Sequence, residues 1–229
     1  SYPVRKHLKD WAKGLGRSQV MIYRTKAAVV LAEGREENLL PRQFLGPGGE
    51  CTLLEYVLDS VWTVADEIYV VFDHEPSLKL IETIAPFGAK IVIKENSPSI
   101  ISMMATGFKA SRSEHCLAVR ENAPFLKPNV IFALFETGRG YDAAIPRWSD
   151  GRVEPLLAVY RRKALLSVAS QIKDSDDSQT ILDNLYAVRF VHVENELKPL
   201  DPELQSFFQV NTDEDLEKAR MMAATRSKP

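Results

Sequence analysis

The chain has 229 residues, 45% of them hydrophobic, which is enough to bury a sizeable core as one large domain. Its formal net charge of −2 gives no bulk electrostatic case for a nucleic-acid or membrane-surface partner, and no apolar run approaches the roughly eighteen residues that a membrane span needs. Two cysteines, Cys51 and Cys116, lack CxxC spacing and predict reduced, buried thiols in a soluble cytoplasmic protein.

The charge is uneven along the chain. Residues 1–26 carry Arg5, Lys6, Lys9, Lys13, Arg17, Arg24 and Lys26 against the single acid Asp10, so they read as a basic extension ahead of one domain spanning residues 27–229. Within the extension, Val4, Leu8, Trp11, Ala12 and Leu15 recur at helical spacing, predicting a short amphipathic helix that ends at Gly14 and Gly16. The leader lacks the apolar core of a signal peptide.

The run Ala27–Leu31 is apolar throughout, as expected of a central parallel strand covered on both faces. Leu53–Val64 reads as a helix, Glu67–Phe72 as a strand, Ser77–Pro86 as a helix, and Lys90–Ile93 as a strand. Ile100–Ala110 follows as a helix, with Met103 and Met104 expected in the core, and Cys116–Val119 as a strand. This alternation predicts an α/β architecture: a doubly wound, mostly parallel sheet with right-handed crossovers.

The pattern changes after Pro128. A helix over Pro128–Glu136 leads to strands at Asp142–Ile145 and Leu156–Tyr160 around a Ser149-Asp150-Gly151 turn, a hairpin-containing subregion on the sheet's far side. Arg162–Gln171 is expected to be helical, 173–178 a polar loop, and Val188–Val193 a strand. A final helix runs from Asp213 to about Ala224, with Thr212 or Asp213 as its cap and acids in its first turn.

Ligands of such sheets bind at the carboxyl ends of the strands, which directs attention to the turn after Leu31. Leu31-Ala32-Glu33-Gly34-Arg35 resembles the glycine-rich nucleotidyltransferase signature, and Pro41-Arg42-Gln43-Phe44-Leu45 is similar to the Pro-Lys-Gln-Phe-Leu of the cytidylyltransferases of isoprenoid synthesis. Farther along, Asp142–Arg147, Glu154–Tyr160 and Phe208–Thr212, together with Ala123–Pro128, resemble the acceptor-side half of the molybdenum cofactor guanylyltransferases. The resemblance implies a Rossmann-like nucleotidyltransferase fold, with a nucleotide and a pterin phosphate as small-molecule partners. It further implies that Ala32, Glu33, Gly34 and Ser97 line the nucleotide, Arg35 and Arg42 neutralise its phosphates, Asn122 and Glu121 hold Mg2+, and Arg147, Glu154 and Asn211 lie beside the acceptor.

The nucleotide side departs from that pattern. Glu33 takes a small residue's place in the loop, and Glu36 and Glu37 follow it. A carboxylate about 4 Å from a phosphate at an effective dielectric near 20 is repelled by about 4 kcal/mol, roughly a thousandfold in affinity. Arg35 and Arg42 offset this, since guanidinium recognises phosphate well. Asn96–Met103 lacks the glycines of the family's base-binding stretch, and Asn122 replaces the aspartate of its Asp-x-Pro-Phe-Leu metal motif, supplying an oxygen without charge. Gln209 stands where the family often has asparagine.

Three functions stay open on the sequence: guanylyl transfer from GTP to molybdopterin, a catalytically impaired binding or partner protein on the same fold, and nucleotide transfer to another small phosphorylated acceptor. His7, His74, His115 and His192 fall in separate elements without ligand spacing, Trp148 is expected to pack the hairpin turn, and no nucleophile triad is suggested.

Overall fold

Apolar residues fill every position of Ala27–Ala32, and in the computed structural model all six are fully buried within strand β1 (Lys26–Ala32). The structure describes residues 26–32, 43–46, 49–94, 99–172 and 178–226. Lys26 apart, the basic segment 1–26 with its expected helix lies outside them, as do Glu33, Gly34, Arg35, Arg42 and Ser97.

Strand β1 sits between β4 (Glu67–Phe72) and β6 (His115–Arg120) and runs parallel to both. With β5 (Lys90–Ile93), β7 (Ala143–Arg147), β8 (Leu157–Arg161) and β9 (Val188–His192) these form a seven-stranded sheet, in the order β5-β4-β1-β6-β8-β7-β9. Only β8 runs against its neighbours. The antiparallel β7–β8 pair forms, with β9, the far side of the sheet, where the sequence placed a hairpin-containing subregion. A separate hairpin, β2 (Gln43–Gly46) with β3 (Gly49–Thr52), precedes the first helix and was not expected from the sequence.

Side chains alternate along β1, and so divide the core in two. Ala28, Val30 and Ala32 pack with α1 (Leu53–Trp62), α2 (Leu78–Ile84) and α4 (Pro128–Thr137), through residues such as Leu58, Leu80 and Leu134. Ala27, Val29 and Leu31 face the other layer, α3 (Ile100–Ala110), α5 (Arg162–Gln171) and the short α6 (Ser178–Asp183), through Met103, Met104, Phe108, Leu165 and Ile181. Helices on both faces are the doubly wound arrangement that the alternation predicts, and the two methionines are core residues as expected. Ser178 opens α6 where the sequence suggested loop, and β9 stops at His192 because Val193–Leu197 coil into a π-helical turn.

Side-chain caps open α1 and α2, whereas α3, α4 and α5 begin without one. Thr52 caps α1 in a reciprocal capping box: Glu55 N–H donates to Thr52 Oγ1 at 3.2 Å, and Thr52 N–H donates to Glu55 Oε2 at 2.6 Å. Glu67 at the start of β4 is a buried carboxylate that accepts from Ser111 Oγ, Arg112 N–H and Ser113 Oγ at 3.1, 3.2 and 3.1 Å. That staple fixes the link between α3 and β6, so it sets where β6 begins.

Gly107 lets α3 lie directly on the sheet. A Cβ there would stand 2.4 Å from Val29 Cγ1 and 2.8 Å from Val71 Cγ2. Overpacking of this kind costs about 1–3 kcal/mol, against about 1 kcal/mol gained in helix propensity. The balance predicts that Gly107→Ala lowers stability by about 1 kcal/mol in urea unfolding; a raised midpoint would show that α3 is free to move off β1 and β4.

Candidate functional site

Four parallel strands end along one edge of the sheet, and the residues singled out by sequence gather there. Ala32 pairs with Phe72 at the end of β4, and Leu31 pairs with Arg120 at the end of β6. Glu121 N–H then donates to Leu31 O at 3.2 Å, carrying the chain across the top of β1. Glu121 and Asn122 are both buried, at 7% and 5% exposure.

Asn122 is held by a segment 88 residues away in sequence. Val210 N–H donates to Asn122 O at 2.9 Å, while Asn122 Nδ2 donates to Asn211 Oδ1 at 2.9 Å and to Val210 O at 3.4 Å. Asn122 Oδ1 is buried and has no hydrogen-bond partner among the described residues. A buried acceptor left unsatisfied costs about 1–3 kcal/mol. The family resemblance placed Asn122 and Asn211 at one end of the fold, and the structure joins them by a hydrogen bond.

That unit is anchored at the start of α7 (Asp213–Arg226). Asp215 N–H donates to Thr212 Oγ1 at 3.1 Å, and Asp215 Oδ2 accepts from the N–H groups of Asn211 and Thr212, both at 3.1 Å. Thr212 is thus the cap, and Asp215 does more than answer the helix dipole. From below, buried Asp201 accepts Ser206 N–H at 2.7 Å, and Ser206 Oγ accepts Lys127 N–H at 3.0 Å, bracing the Pro124–Lys127 turn. Neither Asp201 nor Ser206 stood out in the sequence, because each acts through a contact distant along the chain.

Arg147 ends β7, and Glu154 follows the hairpin turn, at the same edge of the sheet. They lie two strands beyond β6, about 10 Å across the sheet. Both have internal partners: the Arg147 guanidinium lies 5.2 Å from the Phe190 ring centre, and Glu154 Oε1 accepts Trp148 Nε1–H at 2.8 Å. Trp148 packs edge-on to Phe207 at 5.0 Å and lies under Arg152, so it holds the turn as expected. Glu194 accepts the N–H and Oγ–H of Ser149, chiefly the backbone bond holding its carboxyl below the ordinary value. At the end of β4, Asp73 Oδ1 lies 2.5 Å from His74 Nδ1, a pair at the same edge that sequence spacing did not flag.

Both thiols are free; Cys116 is buried as expected, whereas Cys51 is only half-buried, being in a short edge hairpin. Burial pushes Cys116 up to about 12 and raises Cys51 as well. Tyr160 is likewise raised by complete burial and donates to Pro155 O at 2.7 Å. A cleft of about 620 Å³ between α5 and the segment 183–186 lies at the opposite end of the sheet, beside Asp142 and Arg161. No helix among the described residues is long and apolar enough to cross a membrane.

A magnesium ion is usually held through one or two carboxylates together with substrate phosphates. Among the described residues no group of three or more His, Cys, Asp or Glu side chains gathers to hold a metal ion. Asn122 offers a hard oxygen without charge, and the buried carboxylate Glu121 is next to it, so the pair fits a magnesium ion that is held partly by substrate phosphates.

The model of the MobA-like NTP transferase domain matches residues 26–189. The chain belongs to this family. Among its relatives, the probable molybdenum cofactor guanylyltransferase of Methanosarcina acetivorans is 33% identical over 216 residues, covering 88% of this chain and 94% of the relative. That of Methanosarcina mazei is 32% identical, covering 84% and 88%. The crystal structure of molybdopterin-guanine dinucleotide biosynthesis protein A from Archaeoglobus fulgidus superposes with a TM-score of 0.69 at 25% identity, covering 88% of this chain and all of that one. A 4-diphosphocytidyl-2C-methyl-D-erythritol synthase from Anaerococcus prevotii shares the fold, with a TM-score of 0.65 at 20% identity. The chain is therefore a nucleotidyltransferase-like protein that resembles the molybdenum cofactor guanylyltransferases of the family.

The clamp on Asn211 has a testable pH signature. Hydrogen bonds from Asn211 N–H, then Thr212, hold the Asp215 carboxyl below its ordinary value. A depressed carboxylate stabilises the fold above its unfolded pKa of about 3.9, and the contribution is lost as pH falls through the lower folded value. Asp215→Asn is expected to be less stable than the wild type near pH 7 in urea, with the gap narrowing towards about pH 3; a gap independent of pH would mean that the carboxylate contributes nothing as an ion.

Proposed function

We propose that this protein transfers GMP from GTP to the terminal phosphate of a molybdopterin. The reading rests above all on the meeting of Asn122 and Asn211 at 2.9 Å where β1 and β6 end, in a chain 33% identical to a probable molybdenum cofactor guanylyltransferase along nearly its whole length. The triphosphate lies over the carboxyl ends of β1 and β6, at Ala32. In this reading Glu33 and Gly34 also serve the nucleotide, Arg35 and Arg42 neutralise its phosphates, and Ser97 serves the base.

In the transfer, an acceptor phosphate oxygen forms a bond to the α-phosphorus as the bond from that phosphorus to the bridging oxygen of the β-phosphate breaks. Diphosphate leaves with the electron pair. No proton need move, because the attacking phosphate is already ionised near neutral pH. The work left to the chain is to hold two anions in line and to balance the charge that develops between them. Arg147 and Glu154 orient the acceptor from the far side of β8, and the Trp148–Phe207 contact keeps their turn in place. When bound, Mg2+ would neutralise phosphate oxygens beside Asn122 and Glu121.

A second reading, a ligand-binding protein without turnover, is favoured by the amide that stands in the carboxylate's place at residue 122. Calorimetry with GTP, CTP and ATP in the presence of magnesium, followed by a diphosphate-release assay with molybdopterin, separates the two. The transferase reading expects GTP to bind more tightly than CTP or ATP and diphosphate to appear only with acceptor. GTP binding without release supports the second reading, and no binding at about millimolar nucleotide ends the first.

A further inference from the structure

We propose that the end of the sheet where β6 begins, opposite the candidate nucleotide site, holds a second ligand site for a small tetrahedral oxyanion, bound between His115, Lys26 and Arg139. It does not depend on the nucleotidyltransferase reading.

His115 opens β6, and the sheet sets a basic residue on each side of it. Its register partners are Lys26 on β1 and Arg161 on β8, so the three side chains leave the same face. Lys26, Glu114, His115, Phe135, Arg139 and Gly140 line a cavity of about 240 Å³ there, room enough for a polyatomic ion. His115 is buried, yet its Nε2 has no hydrogen-bond partner among the described residues, and neither has the buried Nε of Arg161. Buried polar atoms left unmet cost about 1–3 kcal/mol each, and here two of them belong to neighbours across one strand pair.

The cations at the cavity are only loosely committed. Lys26 Nζ lies 3.4 Å from Glu136 Oε1 and 4.6 Å from the centre of the Phe132 ring. Arg139 Nη2 shares the same carboxylate oxygen at 3.0 Å, with its side chain 69% exposed. Exposed pairs of this kind are worth about 0–1 kcal/mol, so the guanidinium turns onto a ligand at little cost.

Charge decides what enters with the ligand. Lys26, Arg139 and Arg161 stand against Glu114, Glu136 and Asp142, the last 3.4 Å from Arg161 Nη1. With His115 neutral these charges balance, and an entering anion is answered by a proton on His115. Burial holds the ring below its ordinary pKa; Arg161 and Arg139 act in the same sense, Glu114 and the Gly138 backbone against it. An anion in the cavity favours the charged ring, which then has two donors, enough for the Gly138 backbone and the ligand. Affinity therefore climbs as pH falls through the pKa of the occupied site, and levels off below that of the empty one.

Proton NMR of the histidine ring resonances, recorded between about pH 5 and 8 in sodium sulfate and in sodium chloride of equal ionic strength, reads this coupling directly. Sulfate is the probe because, unlike phosphate, it does not titrate near neutral pH. The His115 resonance is assigned by through-bond spectra of the labelled wild type. Sulfate is expected to raise its titration midpoint by about 1 pH unit or more and to leave that of His192 in place. Arg139→Gln, at an exposed position, is expected to weaken sulfate binding followed at His115 by about threefold or more. A His115 midpoint indifferent to sulfate overturns the proposal, as does a response that Arg139→Gln leaves intact. Sulfate uptake seen by calorimetry with no change at His115 places the ion elsewhere and overturns it too. None of these outcomes bears on the transferase reading, which stands or falls with GTP binding at the other end of the sheet.

Discussion

Two strands ending at the same level, with a third segment crossing over them, is the constraint on which the site depends. The Leu31–Arg120 register and the Glu121 N–H to Leu31 O hydrogen bond bring β1 and β6 to one height. Val210 N–H to Asn122 O then fastens the chain that leads into the last helix across that end. A one-residue slip of β6 would turn Asn122 to the other face and break all three of its contacts with the 210–211 segment. Buried Glu67, which fixes the entry to β6, guards against that slip from the opposite end of the sheet.

The same crossing ties the two halves of the chain together. Helix α7 packs its Leu216, Ala219 and Ala223 with Leu53 of α1 and Phe125 of the Asn122 turn, and it touches β2 of the β2–β3 hairpin. The capping box that anchors Asn211 is thus continuous with packing against the first half. Residues of the first helix, the Asn122 turn and the last helix share one small apolar cluster, which limits how independently they can move.

Much of this was legible in advance because it depends on local pattern. The all-apolar Ala27–Leu31 run, the exact spans of β4, β5, α3 and α5, and the mostly parallel sheet follow from periodicity and from cap residues such as Thr212. What escaped depends on contacts between distant residues. The β2–β3 hairpin has glycines at its turn but strands of only four residues, too short for alternation to declare itself. The bracing by Asp201, Ser206 and Glu194, and the pairing of Asn122 with Asn211, join positions that nothing in local sequence connects. The family resemblance supplied what periodicity lacked, since it placed both asparagines at one end of the fold before either had a partner.

The proposed transfer needs a nucleotide to lie across the ends of β1 and β6, over the joined asparagines. Diffraction from crystals grown with GTP and Mn2+ tests this most directly. The account predicts GTP over that end of the sheet, with its phosphates within reach of the Asn122 turn. GTP bound away from the ends of β1 and β6 would contradict it.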